Sequence, residues 1–313
     1  MAPIPFDAPL IHTYSIVARD PENGQMGVAV QSHYFSVGSV VTWAEAGVGA
    51  VATQSIGEPS YGALGLELMR VGKSAAETLR GLLAADDLRE LRQVAMVDAR
   101  GGVAAHTGTL AIRPAGHLVG EQFSVQANMM LRDTVWPAMA RVFADSRGEL
   151  VDRMLAALDA AEAEGGDIRG MQSSALLVVG PQSTGRPWSD RIFDLRVDDH
   201  REPLKELRRL VAIRRAYLHM GAADRAFARG EIAQGNHEYE AAERLVGDNP
   251  EMRYWHAIAL AAAGQMDAAT PLFREVFARD PNWRTLTKRL PRGMFPHLDD
   301  AALARIIAIE VAA

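Results

Sequence analysis

Cysteine is absent from the sequence. Disulfides, thiolate metal sites and a cysteine nucleophile are excluded with it. Lysine is scarce: Lys73, Lys205 and Lys288 stand in a total of 33 basic residues, so arginine carries almost all the positive charge. No apolar run approaches the ~20 residues a spanning helix needs; the nearest candidate, WHAIALAAAG, falls far short. The opening MAPIPFDAPL has neither a basic n-region nor an apolar h-region, so no leader is expected. No tract of a single charge sign occurs, and the net charge of −6 gives no support to nucleic-acid or membrane-surface binding. These absences together point to a cytoplasmic protein.

The chemical signatures that are missing narrow the function further. The nine histidines, His12, His33, His106, His117, His200, His219, His237, His256 and His297, form no HExxH or HxH spacing, so no metal is expected. VDDH, ending at His200, reads as a solvated loop whose aspartates cap the following helix. There is no GxxxxGK[ST] and no strand–GxGxxG–helix unit, and GVGAVA lacks the third glycine and the acidic residue expected downstream. No cofactor is expected. No GxSxG elbow is present either.

What is present is a chain of 313 residues, 48% hydrophobic, enough for a core in each of two domains. TYSIVARD and MGVAVQSHYF flank PENGQ, whose Asn-Gly predicts a tight hairpin over residues 13–35. SVVTWAEAGVGAVATQS predicts two more short strands around Ala46 and Gly47. YGALGLELMRVG and KSAAETLRGLLAAD predict helices, the second with Ser74 and Glu77 in capping-box spacing. LRQVAMVDARGGVAAHTG predicts a hairpin turning at residues 98–102. LVGEQFSVQANMM predicts one strand and a turn, residues 133–145 and 149–164 two helices, and ALLVVG and IFDLRVDD the last strands. Runs of strands alternating with pairs of helices predict two stacked sheets with helices outside, an α+β domain over 1–210.

From Pro203 the chain becomes helical. GNHEYEAAERLVGDNP and GQMDAATPLFREVFARDP resemble each other, and Pro250 and Pro281 lie 31 residues apart, near the tetratricopeptide period of ~34. An all-α domain over 211–313 is expected, with tetratricopeptide-like hairpins at about 215–285. Such hairpins would bind a peptide partner or buttress the first domain.

Polar residues gather at the ends of the predicted strands: Thr13 and Ser15, Ser32 and His33, Thr53, Gln54 and Ser55, His106 and Thr107, Gln126 and Asn128, and then Asp167, Arg169, Gln172 and Ser173. Each alone suits a structural role, but strand ends in layered sheets are where sites form.

The segments 13–55, AAHTG, VQANMM, GGDIRGMQSSALLVV and DLRVDDHREPL resemble the DUF1028 family, whose members share the N-terminal nucleophile (Ntn) hydrolase fold. The resemblance covers roughly 13–210. It implies a four-layer αββα sandwich and a looser likeness to proteasome-type subunits, in which a catalytic threonine opens the first strand. Thr13 stands in that place. GGDIRGMQSS resembles the segment beside that threonine, with Asp167 and Ser173 or Gln172 in its polar roles. Twelve residues precede Thr13, the bond before it is His-Thr rather than Gly-Thr, and no lysine lies in VVTWAEAGVGAVAT. The expectation is therefore a hydrolase of a small amide or imine-like C–N bond, acting without self-processing. Thr13, His33 and Asp167 form its catalytic set. Ser32, Gln54, His106, Asn128, Arg169, Gln172 and Ser173 line the substrate, with His33 or His106 as base. The alternatives are a non-catalytic binder of a small ligand or peptide on the same fold, and a structural subunit of an assembly. A homodimer is the expected state in solution.

Overall fold

A computed structural model describes residues 10–247, 249–291, 293–295 and 298–311. Residues 1–9 of the opening stretch in which no leader is expected, Asp248 in the first of the two similar helical segments, and His297 lie outside the described residues. The chain divides into two compact units, Met1–Leu210 and Val211–Ala313.

The first unit begins with β1 (Leu10–Ile11), β2 (Thr13–Arg19), β3 (Met26–Ser32), β4 (Thr42–Glu45) and β5 (Gly49–Ile56). Helices α1 (Ser60–Arg70) and α2 (Ala75–Ala85) follow, then β6 (Arg92–Asp98), β7 (Val103–Thr107), β8 (Gly116–Gly120) and β9 (Phe123–Ala127). Helices α3 (Val135–Asp145) and α4 (Leu150–Ala163), strand β10 (Ser173–Val179), the short α5 (Pro187–Asp190) and β11 (Arg191–Val197) complete it. All pairings among the described strands are antiparallel. One sheet has the order β1-β5-β6-β7, with β4 also on β5; the other runs β11-β10-β3-β2-β9-β8.

Strand alternation decides what each sheet buries. Val17, Val28, Val30, Ala175 and Leu177 of the six-stranded sheet meet Ala50, Ala52, Ala95 and Val97 of the other in one core. On the far face of the five-stranded sheet, Val51, Val94 and Met96 pack under Tyr61, Leu66, Met69 and Leu79 of α1 and α2. The six-stranded sheet carries α3 over β8 and β9 and α4 over β2 and β3.

The Asn23-Gly24 turn forms as predicted, with Gly24 at φ +73°. Ser74 caps α2 in a full capping box with Glu77. Ser74→Ala is expected to lower the unfolding free energy by about 1 kcal/mol, seen as a lower urea midpoint; an unchanged midpoint would show that the cap adds nothing. LVGEQFSVQANMM holds a hairpin rather than the single strand expected. β8 pairs with β9 from Gly116↔Ala127 to Gly120↔Phe123. The intervening turn has Gln122, not glycine, at φ +59°, so the usual punctuation is missing. Capping at VDDH also differs: Asp198 accepts from Ser36 Oγ, and it is His200 Nδ1 that accepts the Glu202 N–H.

Helix α6 (Pro203–Ala228) carries the boundary between the units. The second unit continues with α7 (Ile232–Leu245), α8 (Pro250–Ala262), α9 (Met266–Arg279), α10 (Asn282–Lys288) and α11 (Asp300–Ile307). Tyr254, Ile258, Phe273, Phe277 and Ile306 form its core. Asn249 caps α8, whose first position is Pro250, and Gly264 at φ +78° closes it. No described helix is long and apolar enough to cross a membrane.

Candidate functional site

The chain changes sheets at His12. Leu10 and Ile11 pair with Ile56 and Ser55 of the five-stranded sheet, while Thr13 opens β2 opposite Ser32 of the other. The polar side chains of the inner faces meet just behind this crossing. Ser15, Gln54, Gln93, Gln126 and Asn128 are all shut off from solvent. A buried amide must be bonded or it costs stability, and here the bonds form one directed network.

Its direction follows from two groups that can only accept. Gln93 Nε2 lies 3.2 Å from the Gly116 carbonyl and 2.9 Å from that of Ala127, so it donates, and Gln93 Oε1 must accept. Gln54 Nε2 donates to that oxygen at 2.7 Å and Asn128 Nδ2 at 2.9 Å. Asn128 Oδ1 is left facing His12 Nδ1 at 2.8 Å. His12 therefore holds its proton on Nδ1. Its Nε2 is buried and has no hydrogen-bond partner among the described residues.

The peptide bond between His12 and Thr13 is gripped from both sides. The His12 carbonyl accepts from Ser32 Oγ at 2.6 Å and Arg169 Nη2 at 2.9 Å. The Thr13 carbonyl accepts from the Asn128 backbone N–H at 3.0 Å and Gln54 Nε2 at 3.1 Å. Thr13 Oγ itself donates to the Ile11 carbonyl. Arg169 is aimed by Asp167, whose fully buried carboxylate takes its Nε at 3.0 Å and its Nη2 at 2.7 Å. The two glycines before Asp167 make this possible: Gly165 and Gly166 take φ +103° and +52°, ending α4 and returning the chain toward Met130.

The structure thus brings Thr13, Ser32, Gln54, Asn128, Asp167 and Arg169 to the crossing. Asp167 reaches it through Arg169 rather than facing Thr13 directly. The other expected site residues are placed elsewhere. His33 is exposed, and its contact with Asp167 is by backbone N–H at 3.4 Å. Gln172 donates to Asp199 in a surface loop. Ser173 flanks Ser32 in the sheet but is engaged by Tyr34 and Val37 of the turn after β3. His106 sits on the wrong face. It opposes Val94, which belongs to the core under α1 and α2, and its Nε2 lies 2.8 Å from the Arg89 carbonyl. Thr107, one residue on, is the inward-facing member of that strand end, bonded to Gln93 and His117. Among the described residues no group of three or more His, Asp or Glu is placed to hold a metal.

Sequence reasoning missed His12 and Gln93. Gln93 had a signal: it is one polar side chain in the apolar strand LRQVAMVDA, with the parity of the inward Ala95 and Val97.

A family model described as a family of unknown function, DUF1028, matches residues 13–207. The chain belongs to the DUF1028 family. Its match begins at the residue that opens β2 and takes in every residue at the crossing except His12. A DUF1028 protein from Silicibacter pomeroyi, known from its crystal structure, is 31% identical, with a TM-score of 0.58 over 64% of this chain and 84% of that one. No curated protein matches the chain.

Burial pushes the pKa of His12 down, against the bond to Asn128, and burial does the same to His117. Both imidazoles are thus neutral in the folded DUF1028 chain near pH 7. As pH falls through the unfolded value of about 6.5, the unfolded chain binds protons first, so stability declines from there toward the lower folded value. The urea midpoint of the intact chain is expected to drop between pH 7.5 and 5, each histidine contributing at most ~1.4 kcal/mol per pH unit. His12→Gln should flatten the slope. A slope unchanged in that variant would remove His12 from the account.

Proposed function

We propose that this chain is a hydrolase of small C–N bonds built on the αββα Ntn sandwich, and that Thr13 is its nucleophile, exposed by a cut at His12–Thr13. The observation that carries the reading is the paired grip of Ser32 and Arg169 on the His12 carbonyl. Two donors on one carbonyl oxygen are what an acyl-transfer site provides for a developing oxyanion. A hydroxyl on the adjacent residue and a neutral imidazole with a bare nitrogen supply the other parts.

Rotation about χ1 releases Thr13 Oγ from the Ile11 carbonyl. The oxygen then attacks the His12 carbonyl carbon while its proton passes to a base, for which His12 Nε2 is suited. The C–N bond breaks, the Thr13 nitrogen takes a proton, and an ester joins His12 to Thr13 Oγ. Water cleaves that ester, leaving a carboxylate on His12 and an α-amine on Thr13. The amine beside the hydroxyl is then its own base for a small amide substrate. This reading replaces an uncut enzyme for a steric reason: Thr13, Ser32, Gln54 and Asn128 have no solvent exposure while residues 10–12 are in place. The same closure favours the second reading, a non-catalytic Ntn-fold binder, if the bond stays intact. The helices of the second unit are read as tetratricopeptide-like and suited to a peptide partner.

Intact mass decides between the two. Purified protein should lose residues 1–12 on incubation, and Thr13→Ala should not. A wild-type chain that keeps its full mass indefinitely overturns the hydrolase reading at Thr13.

A further inference from the structure

Between β7 and β8, at the open edge where the two sheets meet, lies a pocket of about 290 Å³ lined by Thr107, Thr109, Arg113 and His117 over Gly108 and Gly116. Three features give it a chemical preference. First, the Arg113 guanidinium has no hydrogen-bond or ion-pair partner among the described residues, whereas most arginines of this unit are paired. Second, Thr107 Oγ and His117 Nδ1 share one hydrogen bond of 2.8 Å. A neutral threonine and a neutral histidine bring two protons to that pair. The bond uses one. Thr107 cannot give the other to Gln93 Nε2, which is itself a donor, so one proton of the pair is left for a guest in either tautomer. Third, Glu90, the carboxylate bonded to this rim, is already held by the Thr109 N–H at 2.9 Å and hydroxyl at 2.8 Å, and Arg89 stands 3.9 Å from it. No acidic side chain lines the pocket itself. The donors left for a guest are the Arg113 guanidinium and one proton of the Thr107–His117 pair.

The pocket is also joined to the crossing at His12. Thr107 bonds Gln93, and Gln93 bonds both Asn128 and Gln54, which hold the residues on either side of the His12–Thr13 bond. In the sheet, Gly116 opposes Ala127 and Ala127 opposes Tyr14, two strand spacings or roughly 10 Å.

We propose that this pocket recognises the carboxylate of a small acidic amide, with Arg113 as its counter-ion and the Thr107–His117 pair as its neutral donor. The proposal rests on the hydrolase reading for the bond that is cut, and on the pocket alone for the charge it selects. The substrate class is then a short chain bearing a carboxylate at one end and an amide at the other.

Calorimetry on the full chain carrying Thr13→Ala, which removes turnover, tests it with glutaramate and its uncharged counterpart glutaramide. Glutaramate is expected to bind at least about tenfold more tightly, the size of one charge-assisted contact. Arg113→Ala should erase the difference, and Arg113→Lys should keep part of it. Equal affinity for the two probes, or a preference untouched by Arg113→Ala, overturns the proposal. The two readings fail separately. Charge-selective binding by a wild-type chain that is never cut leaves the pocket and removes the hydrolase. Cutting and amide turnover with no preference for charge leaves the hydrolase and removes the pocket.

Discussion

Gln93→Ala is expected to lower the unfolding free energy by about 3–5 kcal/mol, the largest loss from any interior polar substitution in the first unit. Gln93 has no solvent exposure and links both sheets. Its oxygen accepts from Gln54 and Asn128, and its nitrogen faces Thr107 and the carbonyls of Gly116 and Ala127. Truncation opens a cavity and strands several of these partners at once, each orphaned group costing about 1–3 kcal/mol. Gln93→Met separates the two effects. It fills most of the volume but accepts and donates almost nothing, so it should recover less than half of the loss. Urea or thermal unfolding reads both variants. A Met variant as stable as the wild type would mean that packing alone accounts for this position, and the directed network would lose its energetic role. The same variant should disturb His12, since the orientation of Asn128 is inherited from Gln93.

Ser32→Ala is expected to slow the cut at His12–Thr13 by about 100-fold, the range for loss of one oxyanion donor. The change in stability should be only about 1 kcal/mol, because the His12 carbonyl keeps its bond to Arg169. Arg169→Ala should slow the cut at least as much, but it is the less clean probe. It leaves the fully buried Asp167 carboxylate without its counter-ion, and breaking a buried pair costs several kcal/mol in its own right. The double variant Arg169→Ala with Asp167→Asn removes the stranded charge and tests the donor alone. Time courses of intact mass give the rates. If Ser32→Ala is cut as fast as the wild type, the grip on the carbonyl is structural and the proposed chemistry is wrong.

Much of the frame was legible because it depends on local rules. Asn23-Gly24 announces a hairpin, and Ser74 and Glu77 announce a helix start, whereas β3, β5 and β6 are buried on both faces and carry no alternation that marks the inward one. β8 was not legible. Its five residues, GHLVG, include two glycines, and its turn uses a glutamine in left-handed backbone where glycine would have marked it. The structure gathers only part of the expected set of site residues, for a similar reason. Residue type at strand ends points to a polar junction, and Thr13, Ser32, Gln54 and Asn128 meet there. Which of two neighbours faces inward is a matter of parity, and parity moves the inward role from His106 to Thr107. His12 could not be found by type at all. A lone histidine before a threonine carries no pattern, and its importance comes from a network assembled by residues 93 and 128, far away in sequence.

The two-residue strand β1 has a consequence for timing. Leu10 and Ile11 pair with β5 over only two residues, and the Ile11 side chain is fully buried in the core between the sheets. The segment is also held by the bonds of His12 to Asn128, Ser32 and Arg169. Under the proposed cut, the segment becomes a chain end that must give up these contacts before it leaves, so its departure is a local opening with its own free energy. The proposed timing is therefore two steps, scission at His12–Thr13 and then release of β1, and only the second uncovers Thr13.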